Sequence, residues 1–180
     1  MKNKWNEIYG GKVKTDNFQQ LNEKQVTKIL EYFPTAKSAL DIGCGRGELL
    51  RQLKNKGLVV TGIDISSVAI EQAKKITNAT LYLGNFENFS FPKKVKFDLI
   101  FVKFVLAYVE KKKEFFSHIS ELLNERGGLI IVSPVGKSDG EIFVKQKEVD
   151  NYMNYFSLIK EEILYQESDK KLSLFILSKQ

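Results

Sequence analysis

The sequence predicts an α/β protein, a three-layer sandwich around a mostly parallel seven-stranded sheet that ends in a C-terminal antiparallel hairpin. Three observations predict it. From residue 38 onward, short and continuously apolar runs alternate with helical patterns, as expected of parallel strands covered on both faces. One strand-to-helix junction carries glycine at every second position, Gly43, Gly45 and Gly47. The last two apolar runs, Phe156–Gln166 and Leu172–Ser178, are separated only by the polar stretch Glu167–Lys171. So short a link holds no crossover helix, and the two strands must be antiparallel neighbours.

Taken in order, residues 1–16 are polar, include the Gly10-Gly11 pair and read as an arm. Residues 18–33 space Leu21, Val26, Ile29, Leu30 and Phe33 at roughly helical period, and Pro34 closes that helix. Ser38–Ile42 is a strand, followed by a helix over Gly47–Lys56 with Leu49, Leu50 and Leu53 inward and Gly57 at its end. Leu58–Asp64 is the second strand, and Ser66 is the N-cap of a helix over Ser67–Ile76. Thr80–Leu83 and Phe97–Lys103 are strands, Lys111–Asn124 is a helix and Gly128–Ser133 is the fifth strand. No repeat or low-complexity linker interrupts the pattern, so residues 1–180 read as one domain, with an arm and helix in 1–34 and a core in 35–180.

Composition narrows the class. In 180 residues, 43% are hydrophobic and 28% charged, which suits a soluble chain with a sizeable core and excludes a disordered or collagen-like one. The longest apolar run is far short of the ~20 residues that a membrane span needs. The opening MKNKWNEIYGGK lacks the apolar region of a secretion signal, and a lone cysteine, Cys44, makes no internal disulfide; both point to the cytoplasm. The net charge is +6, but only Arg46, Arg51 and Arg126 among the basic residues are arginine. Lysine is a diffuse point charge rather than a bidentate reader of bases and phosphates, so the excess permits a nucleic-acid partner and favours a solvated surface.

The chemistry is concentrated in Ala39-Leu40-Asp41-Ile42-Gly43-Cys44-Gly45-Arg46-Gly47-Glu48. Glycine here allows a tight turn and lets a ligand lie against bare backbone at a helix N-terminus. A dinucleotide site wants G-x-G-x-x-G, whereas the third glycine falls one place early and Glu48 stands where the last glycine belongs. A pyrophosphate would also meet Asp41 and Glu48 as like charges. S-adenosylmethionine carries no phosphate but a cationic sulfonium and an ammonium group, which those acids suit. Asp64 ends the next strand and is placed to accept both hydroxyls of a ribose, with Ile65 beside it against an adenine face.

DIGCGRG followed by GIDIS resembles the class I S-adenosylmethionine-dependent methyltransferases, whose fold is Rossmann-like. The likeness runs from about residue 5 to the end, because the terminal hairpin matches that fold's antiparallel last strand. It implies that Gly43, Cys44, Gly45 and Gly47, with Asp41 behind them, hold the methionine part of the cofactor, and that Asp64 binds the ribose. Asn85 and Phe86 fall where the family contacts adenine, although that position is usually acidic and is asparagine here. The end of the fourth strand, Lys103 and Phe104, would lie beside the transferable methyl, with Lys103 and Tyr108 as candidates on the acceptor side. The run Asp98-Leu99-Ile100-Phe101 and the opening Trp5-Asn6-Glu7-Ile8-Tyr9 resemble the small tellurite-resistance, thiol-type and methyltransferase-11/12-like members. In several of those an N-terminal arm folds over the cofactor, making Trp5 and Tyr9 candidate lid residues; packing onto the domain surface is the alternative. Where many members have a polar residue, this chain has Ala107.

The expected activity is therefore methyl transfer from S-adenosylmethionine, leaving S-adenosylhomocysteine, to an O, N or S atom of a small molecule. An RNA methyltransferase and a non-catalytic cofactor-binding module are the alternatives. The loop after Ser133-Pro134 and the Tyr152/Tyr155 stretch would complete the acceptor side. Cys44 lies inside the glycine loop and is not poised as a nucleophile, and no Asn/Asp-Pro-Pro-Tyr/Phe motif follows the fourth strand. No cluster has metal-ligand spacing, and the single histidine, His118, reads as a helix-surface or packing residue. Lys93, Lys94, Lys96 and Lys111–Lys113 read as solvent-facing charge. The expected partners are a small-molecule acceptor and no membrane, with the chain a monomer or homodimer.

Overall fold

Seven runs rich in β-branched, leucine and aromatic residues pair into one sheet with strand order β3-β2-β1-β4-β5-β7-β6. The computed structural model describes residues 1–12, 21–92, 94–135, 155–167 and 170–180. Its strands are β1 (Ser38–Ile42), β2 (Val59–Asp64), β3 (Thr80–Leu83), β4 (Phe97–Lys103), β5 (Leu123–Val135), β6 (Phe156–Glu167) and β7 (Lys170–Lys179). The helices are α1 (Lys2–Tyr9), α2 (Glu23–Glu31), α3 (Glu48–Asn55), α4 (Ser67–Ile76) and α5 (Lys112–Leu122). The architecture is the expected Rossmann-like sandwich, mostly parallel and closed by an antiparallel β6–β7 hairpin. The chain divides into two compact units, Met1–Pro92 and Lys93–Gln180.

In the first unit, β1 pairs in parallel with β2 and β2 with β3; Asp41 lies opposite Gly62, and Asp64 opposite Leu83. Helix α2 starts with a reciprocal cap: Gln25 N donates to Asn22 Oδ1 at 3.0 Å, and Asn22 N donates to Gln25 Oε1 at 2.8 Å. It is shorter than the predicted 18–33, part of which lies outside the described residues. Helix α3 buries Leu49, Leu50 and Leu53 as predicted, and Ser66 Oγ caps α4 by accepting from Ala69 N at 3.2 Å.

The stretch read as an arm is instead helical at Lys2–Tyr9. Its polarity hid a stripe: Trp5, Ile8 and Tyr9 stand three and four residues apart and so share one helix face. That face is fixed to α4 by two bonds, Ser66 Oγ donating to Asn6 Oδ1 at 2.7 Å and Gln72 Nε2 donating to the Tyr9 carbonyl at 3.0 Å.

In the second unit, β4 pairs in parallel with β5, and β7 lies antiparallel between β5 and β6. Phe101, Phe115 and Phe175 are fully buried there. Strand β5 starts at Leu123 rather than the predicted Gly128, and α5 ends two residues before the predicted Asn124. Asn124 Nδ2 donates to Asp98 Oδ1 at 2.7 Å, which draws the chain into the sheet at once, and Arg126 takes a left-handed φ of 61° to let the strand continue. Lys96, read as a solvent charge, donates to the Glu121 carbonyl near the C-terminus of α5. Among the described residues no helix is long and apolar enough to cross a membrane.

One glycine of the first unit is required by packing alone. A Cβ at Gly62 would lie 2.7 Å from Leu50 Cδ1 and 2.8 Å from Cys44 Sγ, so β2 can approach the glycine turn and α3 only with hydrogen at that position. Gly62→Ala is expected to lower the unfolding free energy by about 1–3 kcal/mol, the usual cost of overpacking. Denaturant unfolding checks it, and an unchanged midpoint would show that the contact relaxes without cost.

Candidate functional site

In the first unit, the β1–α3 turn bends through three left-handed glycines, Gly43 (φ 72°), Gly45 (φ 54°) and Gly47 (φ 84°). Four of its amides are turned inward. Gly43 N and Cys44 N both donate to the Ile63 carbonyl, at 2.8 and 3.1 Å, and Gly47 N donates to the Cys44 carbonyl at 3.0 Å. Gly45 N donates to Asp64 Oδ2 at 2.9 Å. A pyrophosphate cradle needs such amides aimed outward at the anion. Here they are spent on the protein's own acceptors. Gly47 has a further duty, since a Cβ there would come within 3.1 Å of Ala73 Cβ and 3.2 Å of Thr77 Cγ2 on the α4 side.

Asp64 is the hub of this turn. Besides Gly45 N it accepts from Ser66 N, through Oδ1 at 2.8 Å, and it is 6% exposed. Burial pushes its carboxyl above the usual value, opposed by the backbone N–H groups of Ser66, Gly45 and Ile65, which favour the ionised form. Asp41 is fully buried at the end of β1, Cys44 is buried, and Ile65 is half-buried beside Asp64.

Tyr9 of α1 reaches this turn. A Cβ on Gly45 would meet the Tyr9 hydroxyl at 2.7 Å, so the bare backbone at that position faces the phenol. The Arg46 guanidinium lies 6.0 Å from the Tyr9 ring centroid, and the Trp5 ring lies 6.1 Å from the same ring. Burial pushes the Tyr9 phenol well above its ordinary value, reinforced by the charges of Asp64, Cys44, Asp41 and Glu48. Asn85 starts a short 3-10 turn, Phe86–Asn88, and its side chain accepts from Glu87 N at 3.2 Å, while Phe86 is buried with its ring 6.2 Å from that of Phe91.

In the second unit, β4 ends at Lys103, which is buried at 8% exposure. Phe104 follows with φ 56°, a conformation that a bulky side chain rarely takes, held by its N–H donating to the Val132 carbonyl at 2.9 Å. Tyr108 closes a 3-10 turn, Leu106–Tyr108, and burial raises its phenol. Burial lowers the His118 imidazole, opposed by Glu121, and the ring is half-buried on α5. The loop beyond Val135 and Tyr152 lie outside the described residues.

Residues 35–175 match the family model described as a methyltransferase domain. The chain belongs to this family. It has the class I S-adenosylmethionine-dependent fold and takes that family's cofactor. It is 29% identical over 149 residues to the mitochondrial ubiquinone biosynthesis O-methyltransferase of Schizosaccharomyces pombe, covering 66% of this chain and 54% of that protein. The chain spans about half the length of the curated relatives it matches. Among solved structures, N-methyltransferase NodS from Bradyrhizobium japonicum WM9 in complex with S-adenosyl-L-homocysteine aligns with TM-score 0.70 and 16% identity, over 97% of this chain and 98% of that one. The [4+2]-cyclase SpnF aligns with TM-score 0.72 and 12% identity, over 87% and 80%. At those identities the likeness is one of fold, and the fold carries more than one reaction.

The residues of this methyltransferase domain fit the cofactor. The turn is bare at Gly45, the acids Asp41, Glu48 and Asp64 suit a cationic sulfur and ammonium, and the Asp64 carboxylate, bonded to backbone N–H groups, keeps acceptor capacity beyond them. Sequence reasoning missed Asn6 and Gln72 as the groups that tie α1 to α4. The Trp5–Ile8–Tyr9 spacing was the available signal.

Gly45→Val puts a β-branched side chain at φ 54° and against the Tyr9 hydroxyl. The variant is expected to push Tyr9 and α1 off the turn and to shift the emission of Trp5, the only tryptophan, to the red. Unshifted emission from a folded variant would place Tyr9 elsewhere.

Proposed function

We propose that this chain, acting as one domain, transfers a methyl group from S-adenosylmethionine to an O, N or S atom of a small molecule. The observation that carries this is electrostatic. The glycine turn spends four of its amides inward, and the Tyr9 hydroxyl at its rim is kept protonated first by burial and then by the nearby Asp64, Asp41 and Glu48. A region where carboxylates hinder a phenol from ionising favours a cation and repels a phosphate.

In this reading Gly43, Cys44, Gly45 and Gly47, with Asp41 behind them, receive the methionine part. Asp64 accepts the ribose hydroxyls while its backbone bonds keep it in place. Ile65, Asn85 and Phe86 border the adenine, and Trp5 and Tyr9 cover the cofactor. Bound S-adenosylmethionine supplies a methyl already activated by positive sulfur. The protein's work is then to align the acceptor and keep water out. Lys103, Phe104 and Tyr108 are assigned to the acceptor side, where the strained backbone of Phe104 marks the end of β4. No dedicated base is assigned, and a soft nucleophile needs none.

A small-molecule acceptor draws support from the relatives named as O- and N-methyltransferases. The RNA alternative rests on lysine excess, yet Lys56, Lys74, Lys160, Lys171 and Lys179 each lie within 4.0 Å of a carboxylate of Glu23, Glu71, Glu162, Glu161 and Glu125. We place the activity in the cytoplasm, whose reducing conditions suit a lone buried Cys44.

Labelled-methyl transfer across phenols, amines, thiols and bulk tRNA is expected to label a small acceptor and release S-adenosylhomocysteine. Label on tRNA alone would favour the RNA enzyme, and cofactor binding without turnover would favour a non-catalytic module. Calorimetry tests the ribose role. The ionised Asp64 is the acceptor, so S-adenosylmethionine affinity should fall as pH drops through the raised carboxyl value. Asp64→Asn should weaken binding by about 1.5–3 kcal/mol, the worth of hydrogen bonds to a charged group, and remove that pH dependence. Equal affinity and an equal pH profile in the variant would remove Asp64 from the site.

A further inference from the structure

Strand β6 is an edge strand: among the described residues it pairs with β7 on one side and has no neighbour on the other. It carries Leu158 at 50% exposure, Ile159 at 41%, Ile163 at 49% and Tyr165 at 56%, while every other element exposes one large apolar side chain at most among the described residues. A long, apolar, open edge is a template for another strand. The question is which strand.

The sequence of β6 answers it. Leu158-Ile159-Lys160-Glu161-Glu162-Ile163-Leu164 is a palindrome in chemistry about Glu161. We propose that β6 pairs antiparallel with β6 of a second copy, on a two-fold axis at Glu161, joining two sheets into one. Leucine 158 then faces the partner's Leu164, Ile159 faces the partner's Ile163, and Lys160 faces the partner's Glu162. The two-fold makes each of these contacts twice.

The charges close as well. Within one chain Lys160 Nζ lies 3.7 Å from Glu162 Oε2, on one face of the strand, and each side chain is 34% exposed. Opposite a second copy in this register, every lysine of the group has glutamate beside it and across from it. The single clash of like charge is Glu161 against the partner's Glu161. It is compensated inside each chain, where Glu161 Oε1 accepts from Lys171 Nζ at 2.9 Å and from Ser173 Oγ at 3.2 Å.

The irregularities of β6 flank the centre of this segment, leaving Lys160–Glu162 regular and placing one bulge residue in each of the two outer apolar pairs. Register shifts against β7 fall between Leu158 and Lys160 and between Ile163 and Tyr165, so Ile159 and Leu164 are the extra residues. Lys160–Ile163 between them keeps unbroken one-to-one pairing. Lysine on an edge discourages pairing with an unrelated apolar strand. On its own copy Lys160 meets glutamate, so the device that repels other edges admits this one.

The test is a charge swap in the full chain, read by sedimentation equilibrium. The parent should be a dimer at micromolar concentration. Lys160→Glu or Glu162→Lys alone sets four like charges together and should weaken dimerisation at least about tenfold. The double variant Lys160→Glu/Glu162→Lys restores the alternation and should restore the dimer. These positions are partly exposed, and unchanged thermal unfolding separates loss of dimer from loss of fold. A monomeric parent, a single variant that dimerises like the parent, or a double variant no tighter than the singles would overturn the proposal. Register is checked by cysteine. Opposed Cα atoms on the axis are about 4.5–5.5 Å apart, within disulfide range, so Glu161→Cys should form a reducible covalent dimer. Ile159→Cys, roughly 13 Å from its own copy in this pairing, should not, and equal cross-linking of the two would refute the register.

Discussion

The first unit is organised around one buried carboxylate. Asp64 accepts from Gly45 N and from Ser66 N, one bond to each oxygen, and so joins the tip of β2 to the glycine turn and to the first turn of α4. Burying a carboxylate is costly unless its oxygens are paired. The pairing here is with backbone, which neither neutralises the charge nor moves with a rotamer. The result is a negative group fixed to the polypeptide itself, at the point where three elements meet. Gly62 contributes to the same arrangement by letting Leu50 and Cys44 close against β2.

That constraint also decides what kind of ligand the turn can serve. A glycine-rich turn at a helix N-terminus binds anions when its amides point out. With Gly43, Cys44, Gly45 and Gly47 donating inward, those four amides are taken from any anion, and the carboxylates of Asp41, Glu48 and Asp64 stand close to the turn. The two features are one feature seen twice, because the Gly45 amide is turned inward by the very carboxylate that makes the site negative. Motif spacing alone, G-x-G-x-G in place of G-x-G-x-x-G, is a weaker discriminator than where those amides go.

Much of this was legible in the sequence, for reasons that can be named. Strands β1, β3 and β4 were read to the residue because they are short, mainly apolar runs, with Gly43 closing the first, Gly84 the second and Lys96 opening the third. Ser66 was readable as a cap because its hydroxyl sits just ahead of an amphipathic stretch. The misreadings are equally specific. Helix α1 was taken as an arm because five of its eight residues are polar, and its short apolar stripe gains meaning only from Asn6 and Gln72 bonding across to and from α4. The end of α5 was set late because nothing local announces that Asn124 bonds to Asp98. Asp64 was identified as the functional acid from its place at the tip of β2, but its partners were not. Backbone donors leave no mark in a sequence.

The N-terminal helix is coupled to the turn through a single shared residue. Ser66 uses its N–H on Asp64, accepts from Ala69 N to cap α4, and donates its hydroxyl proton to Asn6. Displacing α1 therefore removes a partner from the group that orients Asp64. The connection runs the other way at Gly45, where the Tyr9 hydroxyl occupies the point at which a side chain would begin. A ligand atom at that point and the phenol in this position exclude each other. Whatever fills the turn must either move Tyr9 or take its hydroxyl as a neighbour, and a phenol that burial and carboxylates keep protonated offers that neighbour a hydrogen-bond donor. The helix that polarity disguised as an arm is thus part of the turn's chemistry, joined to it by hydrogen bonds at one end and by steric contact at the other.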